Sequence, residues 1–314
     1  MKIAIIGGAG ALGSTFGGIL TEAGEDVTLV DLPSPRVNAL QKDGLILSSD
    51  QGENLVKVEI TTDTPSVGIC DLVLISVKSY HTAEALKNAG PLIGPNTMVM
   101  SLQNGAGNVE VIASEIEHDR VIGGITAHSS AITGPNRVNY EVGGGGGVMI
   151  ATFSGSVTRG LEDVAEVFNK SGLSTEIAGN LMEVIWSKLV LNVCLNPVGA
   201  ISGFNNCEVF ANANGRELVS MLMLEAQAVA AAKKLSLAGG KDQVKRILQA
   251  GEFLVKRRDK NKVSMLQDLE AGRKTEIDYI NGPIVREGEK QNIPTPVNRA
   301  LILMVKMLEE KPRV

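Results

Sequence analysis

Histidine and cysteine are scarce in this chain, and their scarcity narrows the chemistry. Only His81, His118 and His128 are present, too few for a His-rich centre, so no metal is expected. Three scattered cysteines, Cys70, Cys194 and Cys207, form no C-x-x-C and cannot all pair, which fits a reducing cytosol. Excess positive charge is also missing. Thirty Lys and Arg stand against 35 Asp and Glu, a net charge of −5, so nothing draws the chain generally to nucleic acid or anionic lipid. Any anion must be held by a local device. No apolar run is read as reaching the length of a membrane span, and the run after Met1 is too short for a signal peptide and meets Gly7 at once. The expectation is a soluble cytoplasmic protein with no nucleic-acid or membrane partner. With 44% apolar and 21% charged residues over 314 positions, it is globular and long enough for two domains.

What the chain does have is centred on residues 180–196. Asn180 and Glu183 have the spacing of a capping box, and Met182, Ile185, Leu189, Val193 and Leu195 call for burial on the helix that follows. Lys188, Asn192 and Asn196 recur at i, i+4 and i+8, so they share one stripe of that helix. A lone lysine there would be an ordinary solvated residue. Two asparagines in register with it are harder to explain that way, because Asn competes with helical backbone bonding. Asn offers a donor and an acceptor to a small polar ligand, and a partly desolvated Lys can release a proton near neutral pH. Pro197 follows directly, so the helix is expected to end or kink beside Asn196, a natural place for a cleft.

The N-terminal half has a second signal. Ile3–Ile6 reads as a strand, followed by Gly8-Ala9-Gly10-Ala11-Leu12-Gly13, then a helix to about Glu22 stopped by Gly24, then a strand from Asp26 to Asp31. A bare G-x-G-x-x-G is weak in a chain with 35 glycines, but here the whole strand–turn–helix–strand unit is present. The glycines allow backbone to approach a pyrophosphate at the helix start, and Asp31 can accept from a ribose hydroxyl. Segments 56–60, 72–77, 98–101 and 121–125 continue the sheet, with helical patterns at about 80–89 and 107–117. Their continuous apolar character suits a parallel sheet covered on both faces. Lys78 and Gln103-Asn104-Gly105 each follow a strand, where doubly wound sheets hold ligands, although taken alone such residues are ordinary turn chemistry more often than not.

Residues 126–132, 134–138 and 148–153 read as antiparallel strands, with Gly143–Gly147 as a permissive loop. A helix at about 160–170 and a strand at 174–177 close the first domain, placing the boundary at Gly179. The organisation is therefore α/β: a Rossmann-type doubly wound domain over 1–178, then an all-helical domain over 179–314. In that second domain the Ala/Met-rich helix 219–235 offers a surface for a homodimer. Thr275-Glu276-Ile277-Asp278 sits at the start of a late helix, where capping is a sufficient reason for an acid such as Glu276.

Taken together, Trp186-Ser187-Lys188 with Asn192 and Asn196, Ser264-Met265-Leu266-Gln267-Asp268, and Thr275 through Gly282 resemble the ketopantoate reductase (2-dehydropantoate 2-reductase) family. The resemblance spans nearly the whole chain, and Gly134-Pro135-Asn136-Arg137-Val138 resembles that family's hairpin. It implies a Rossmann domain joined to a helical one with the active site between them. It further implies Lys188 as catalytic acid, Glu276 as its partner, and Asn192, Asn196, Asn206 and Ser264 at the substrate. Asn104 and Lys78 match positions at the cofactor and the cleft, with Asn104 also toward substrate. The chain departs from the family at Gly7, an extra glycine before the fingerprint, and at Asp31, where members using NADPH commonly carry a basic residue.

The activity expected is NAD(P)H-dependent reduction of a small 2-keto acid, ketopantoate first. Lys188 donates the proton, Glu276 orients it, and the Asn and Ser groups bind the carboxylate. Asp31 favours NADH over NADPH, unless Arg36 folds back over the ribose and, with Ser34, holds a phosphate. A β-hydroxyacid dehydrogenase would also place Lys and Asn four apart, but the Ser264 to Glu276 segment argues against it. A non-enzymatic dinucleotide sensor is the remaining alternative.

Overall fold

From Ile3 to Ile6 both alternating sets of side chains on the first strand are apolar, and the fold buries both. Ile3 and Ile5 join one core with Phe16, Leu29, Leu72 and Met100, while Ala4 and Ile6 face a second core with Val73, Ile75, Leu86 and Val99. Strands covered on both sides have no solvent face to alternate toward, which is why their sequences read as unbroken apolar runs.

The computed structural model describes residues 1–142, 147–238, 240–258 and 260–311. Residues 143–146 of the expected glycine loop lie outside the described residues. In chain order the first half comprises β1 (Lys2–Ile6), α1 (Ala11–Glu22), β2 (Asp26–Val30), α2 (Pro35–Asp43), β3 (Leu45–Ser49), β4 (Gly52–Val56), β5 (Glu59–Thr61), α3 (Thr64–Val67), β6 (Leu72–Ile75), α4 (Thr82–Asn88), β7 (Met98–Ser101) and α5 (Asn108–Ala113). It continues with β8 (Val121–Thr126), β9 (His128–Gly134), β10 (Arg137–Val142), β11 (Val148–Thr152), α6 (Arg159–Lys170) and β12 (Thr175–Ile177). The rest is helical: α7 (Leu181–Ser202), α8 (Asn206–Ala211), α9 (Ala213–Ala232), α10 (Gln243–Arg257), α11 (Ser264–Ala271), α12 (Ile277–Lys290) and α13 (Pro296–Glu309).

Eight strands form the main sheet in the order β12-β11-β8-β7-β6-β1-β2-β5, parallel except where β11 meets β8. The chain runs outward from β1 through β2 to β5, then returns to β6 on the other side of β1. That reversal between β1 and β6 is the switch point at which such sheets bind ligands beyond their carboxyl ends. Two compact units result: residues 1–103 with 108–181, and residues 104–107 with 182–314.

Several expectations are corrected. Segment 56–60 is not one strand: Val56 ends β4, and β5 begins only at Glu59. The sequence reading passed over α2 and β3, whose strand alternates between buried and half-buried residues and pairs with β4 around Asp50 and Gln51. These strands join a separate sheet, β4-β3-β10-β9, so β10 pairs with β3 and β9. The segment at 148–153, read with that hairpin, instead pairs with β8 in the main sheet as β11.

Pro197 does not end its helix, for α7 continues to Ser202. The same helix corrects the reading that no run approaches a membrane span. Leu181–Ser202 is long and apolar enough to cross one, yet 67% of its most apolar window is buried within the chain. Its hydropathy is that of a core helix. Trp186 is buried on it beneath the Lys233 ammonium, 5.5 Å from the ring centre, and Lys233 in turn pairs with Glu287 at 2.7 Å.

Candidate active site

In the first unit the glycine turn closes on itself. Gly7, with a φ of 80°, donates to Val30 O at 2.9 Å and accepts from Gly10 N–H at 2.9 Å. A Cβ on Gly13 would collide with that Gly7 carbonyl, and one on Gly8 would lie 2.6 Å from Leu29 Cβ. Gly7, which the sequence reading set outside the fingerprint, is therefore part of the turn. Helix α1 starts at the turn with no acid in its first turn and no side chain capping Gly10. A helix start of this kind, lined by backbone rather than side chains, is suited to an anion.

Asp31 follows β2 and binds the same turn. Its Oδ2 accepts from Ala9 N–H and its Oδ1 from Leu32 N–H, both at 2.8 Å. Arg36 does fold back toward the turn, but its donors meet protein groups there. Nε donates to Ala9 O at 2.7 Å, Nη1 to Gly134 O at 2.8 Å and Pro135 O at 2.9 Å, and Nη2 to Ser14 Oγ at 3.2 Å. Burial lowers its pKa from the usual value, and Asp31 pulls the other way. Ser34 caps α2 by accepting from Val37 N–H at 3.2 Å. Lys78 stands just beyond β6, at the head of a short 3-10 turn over Ser79–His81.

The second unit holds the polar stripe. Lys188 and Asn192 are half-buried on α7 and Asn196 is 5% exposed, so the stripe runs inward and is not a solvated face. Desolvation lowers the Lys188 pKa from 10.5 to about 8. Asn104, which the chain order would place with the sheet, belongs to the second unit. Asn192 Nδ2 donates to Asn104 Oδ1 at 3.4 Å, joining two of the expected site residues.

The loop that carries Asn104 is anchored by a proline. Pro283 sits inside α12 and has no amide to offer the Tyr279 carbonyl one turn earlier. Ala106 N–H takes that carbonyl instead, at 3.0 Å. Gly105 makes the approach feasible, with φ of 90° and Tyr279 O only 2.5 Å from where a Cβ would sit. Gly105→Ala is accordingly expected to destabilise the protein by about 1–3 kcal/mol in denaturant melts, with kcat/KM falling as Asn104 shifts. An unchanged melt would show that the loop does not depend on this contact.

The remaining expected residues start helices. Asn206 opens α8, and Ser264 opens α11. The two starts are linked, since Asn206 N–H donates to Asn261 O at 3.2 Å. Val263, next to Ser264, packs against Gly199 near the end of α7, 2.8 Å from where a Cβ would lie. Asn206 Oδ1 is buried and accepts no hydrogen bond. Glu276 occupies the cap position of α12, 8% exposed, but its side chain makes no cap hydrogen bond. Thr275 serves there: its Oγ1 accepts from Ile277 N–H at 3.2 Å, while its own N–H and O–H donate to Glu309 at 2.7 and 2.6 Å. Glu276 therefore stands at the helix start, where the dipole favours an acid, without capping it by a side-chain hydrogen bond.

With these positions in place, comparison with known proteins is informative. The family described as Ketopantoate reductase PanE/ApbA matches residues 3–155, and its C-terminal part matches 180–309. A 2-dehydropantoate 2-reductase of Pyrococcus abyssi is 35% identical over 98% of this chain and 97% of its own length. The chain belongs to the ketopantoate reductase family. Among solved structures, 2-dehydropantoate 2-reductase from Geobacter metallireducens has a TM-score of 0.89 at 29% identity, covering 98% of this chain and 99% of that one. A ternary complex of D-mandelate dehydrogenase with NADH and anilino(oxo)acetate has a TM-score of 0.88 at 27% identity, covering 99% and 98%.

In this ketopantoate reductase family member, the residues of the first unit fit a dinucleotide. A tight glycine turn that admits no Cβ at Gly8 or Gly13 leads into the uncapped start of α1, and Asp31 stands beside it. The sequence reading placed Gln103 after a strand but gave it no role of its own. Gln103 donates to Val77 O at 2.7 Å and Thr82 Oγ1 at 2.9 Å, just before Asn104. Its only signal was its place after β7.

Proposed function

We propose that this chain reduces a small 2-keto acid to the 2-hydroxy acid, ketopantoate to pantoate first, with the first unit binding the dinucleotide and the second supplying substrate binding and the proton. The observation that carries this is the stripe on α7: an ammonium with its pKa lowered to about 8, in register with a half-buried and a buried asparagine. Bound NAD(P)H supplies the hydride. Lys188 gives its proton to the substrate oxygen as charge develops there, and Glu276 orients that ammonium. Asn104, Asn192, Asn196, Asn206 and Ser264 bind the carboxylate and hydroxyl groups, whose recognition needs both donors and acceptors. Lys78 and Asn104 complete the cofactor side.

The cofactor preference belongs to the same proposal. Asp31 keeps lone pairs for the ribose hydroxyls, whereas a 2′-phosphate would face a like charge. Arg36 would have to give up carbonyl partners at 2.7–2.9 Å to neutralise it. The NADH in the D-mandelate dehydrogenase complex is consistent with this reading. NADH is expected to give the higher kcat/KM, and Asp31→Ala to narrow the gap. A tenfold preference for NADPH, about 1.4 kcal/mol, overturns it.

That same relative favours a second reading, in which an aryl 2-keto acid such as benzoylformate is the better substrate. One experiment separates them. A panel of 2-keto acids including ketopantoate and benzoylformate, assayed with NADH and NADPH, should show its highest kcat/KM with ketopantoate. No turnover of any member rejects the reductase reading altogether.

A further inference from the structure

The proline within α7 leaves a gap that another helix fills. Pro197 has no amide to offer the Val193 carbonyl one turn earlier on α7. Asn281 of α12 supplies one, its Nδ2 donating to Val193 O at 3.1 Å. The same nitrogen donates to Asn298 Oδ1 at 2.9 Å. Asn298 then donates to Glu225 Oε2 through Nδ2 at 2.7 Å and through its backbone N–H at 3.0 Å, and Val297 N–H donates to Oε1 at 2.9 Å. A line of hydrogen bonds therefore runs from α9 through the start of α13 and across α12, and ends on α7.

We propose that Asn281 is a positioning residue that fixes the register of α7, and with it the place where Lys188, Asn192 and Asn196 are presented. Val193 lies between Asn192 and Cys194, so a bond to its carbonyl acts on the turn that carries the two asparagines. A slip of one residue along that helix turns the stripe by about 100° and moves it about 1.5 Å. Asn281 and Asn298 are both 0% exposed, so neither bond has water as an alternative. Both oxygens facing Asn281 are acceptors, a demand that one amide nitrogen with two protons meets and a carboxylate does not. Asn281 Oδ1 is buried and accepts no hydrogen bond, so the side chain is held there by its donors alone. The α12 helix thus serves twice, filling one proline-opened carbonyl on α7 and offering its own to the Asn104 loop.

The effect on rate rests on the proposed role of Lys188, but the structural claim can be tested separately. Pro197→Ala restores an amide that can take Val193 O within α7, which makes the Asn281 bond redundant. Asn281→Leu alone is expected to lower kcat about tenfold or more, with KM for NADH within about twofold. In the Pro197→Ala background, the same substitution should leave kcat within about threefold of the Pro197→Ala parent. Pantoate affinity by calorimetry, which needs no turnover, should show the same non-additivity. Additive losses in both measurements, or Asn281→Leu keeping kcat within about threefold, overturn the proposal. Should Asn281→Leu fail to fold, the double variant decides: a folded, active double variant supports the assignment and an unfolded one rejects it. Failure of the Lys188 role shows differently, as turnover retained in Lys188→Ala.

Discussion

Replacing Lys188 with alanine is expected to lower kcat by about 10²- to 10⁴-fold while leaving the fold and dinucleotide binding intact. Retention of more than about a tenth of kcat would rule out the role of proton donor. Methionine at the same position sharpens the test, because it keeps the aliphatic bulk and removes only the charge. The Lys188 pKa is lowered to about 8 by burial, so holding its proton costs free energy in the folded state. Between pH 8 and its ordinary value of 10.5 the unfolded chain binds the proton more readily than the folded one, so stability from this group rises with pH across that window. The contribution is lost as pH falls through 8. Lys188→Met removes that penalty and is expected to melt no lower than wild type at pH 7. Reduction needs the protonated form, so kcat/KM should fall as pH rises through about 8, opposite to the stability trend. Rate and melting temperature that both decline in Lys188→Met would mean that the lysine is a packing element.

Features with local causes were legible in the sequence. The βαβ unit was readable because strand, glycine turn, helix and acid arrive within one stretch, and Asp31 does bind the turn through Ala9. The α7 stripe was readable because helical spacing alone aligns Lys188, Asn192 and Asn196. Features that depend on distant partners were not. The pairing of β3 with β10 joins segments separated by about half of the first unit, and neither carries a mark of the other. Pro197 read as a helix end or kink, but the chain continues as helix, and an amide from Asn281, far along the chain, meets the Val193 carbonyl. Asn104 looked like part of the sheet unit because its anchor, Tyr279 O, is released by a proline four residues further on. Arg36 lay within view, but its engagement with Gly134 and Pro135 depended on where the β9–β10 hairpin folds.

Glu276 offers the sharpest contrast between stability and rate. At a helix start an acid ordinarily interacts favourably with the dipole and caps an amide, and its loss then costs about 1 kcal/mol with no change in rate. Here the side-chain hydrogen bond to the first helical amide comes from Thr275, held by Glu309, while the Glu276 side chain at the cap position makes none. On the proposed reading, capping and catalysis fall on adjacent residues and can be removed one at a time. Thr275→Val should lower the melting temperature by the equivalent of about 1 kcal/mol and leave kcat within a factor of about three. Glu276→Gln should do the reverse, lowering kcat about a hundredfold with little change in melting temperature, because the amide keeps the volume but cannot hold the Lys188 ammonium by charge. Burial makes that charge matter more, since a carboxylate 8% exposed acts in a lower dielectric than one in water. A Glu276→Gln rate within about threefold of wild type would remove Glu276 from the reaction, and its burial would then need another cause.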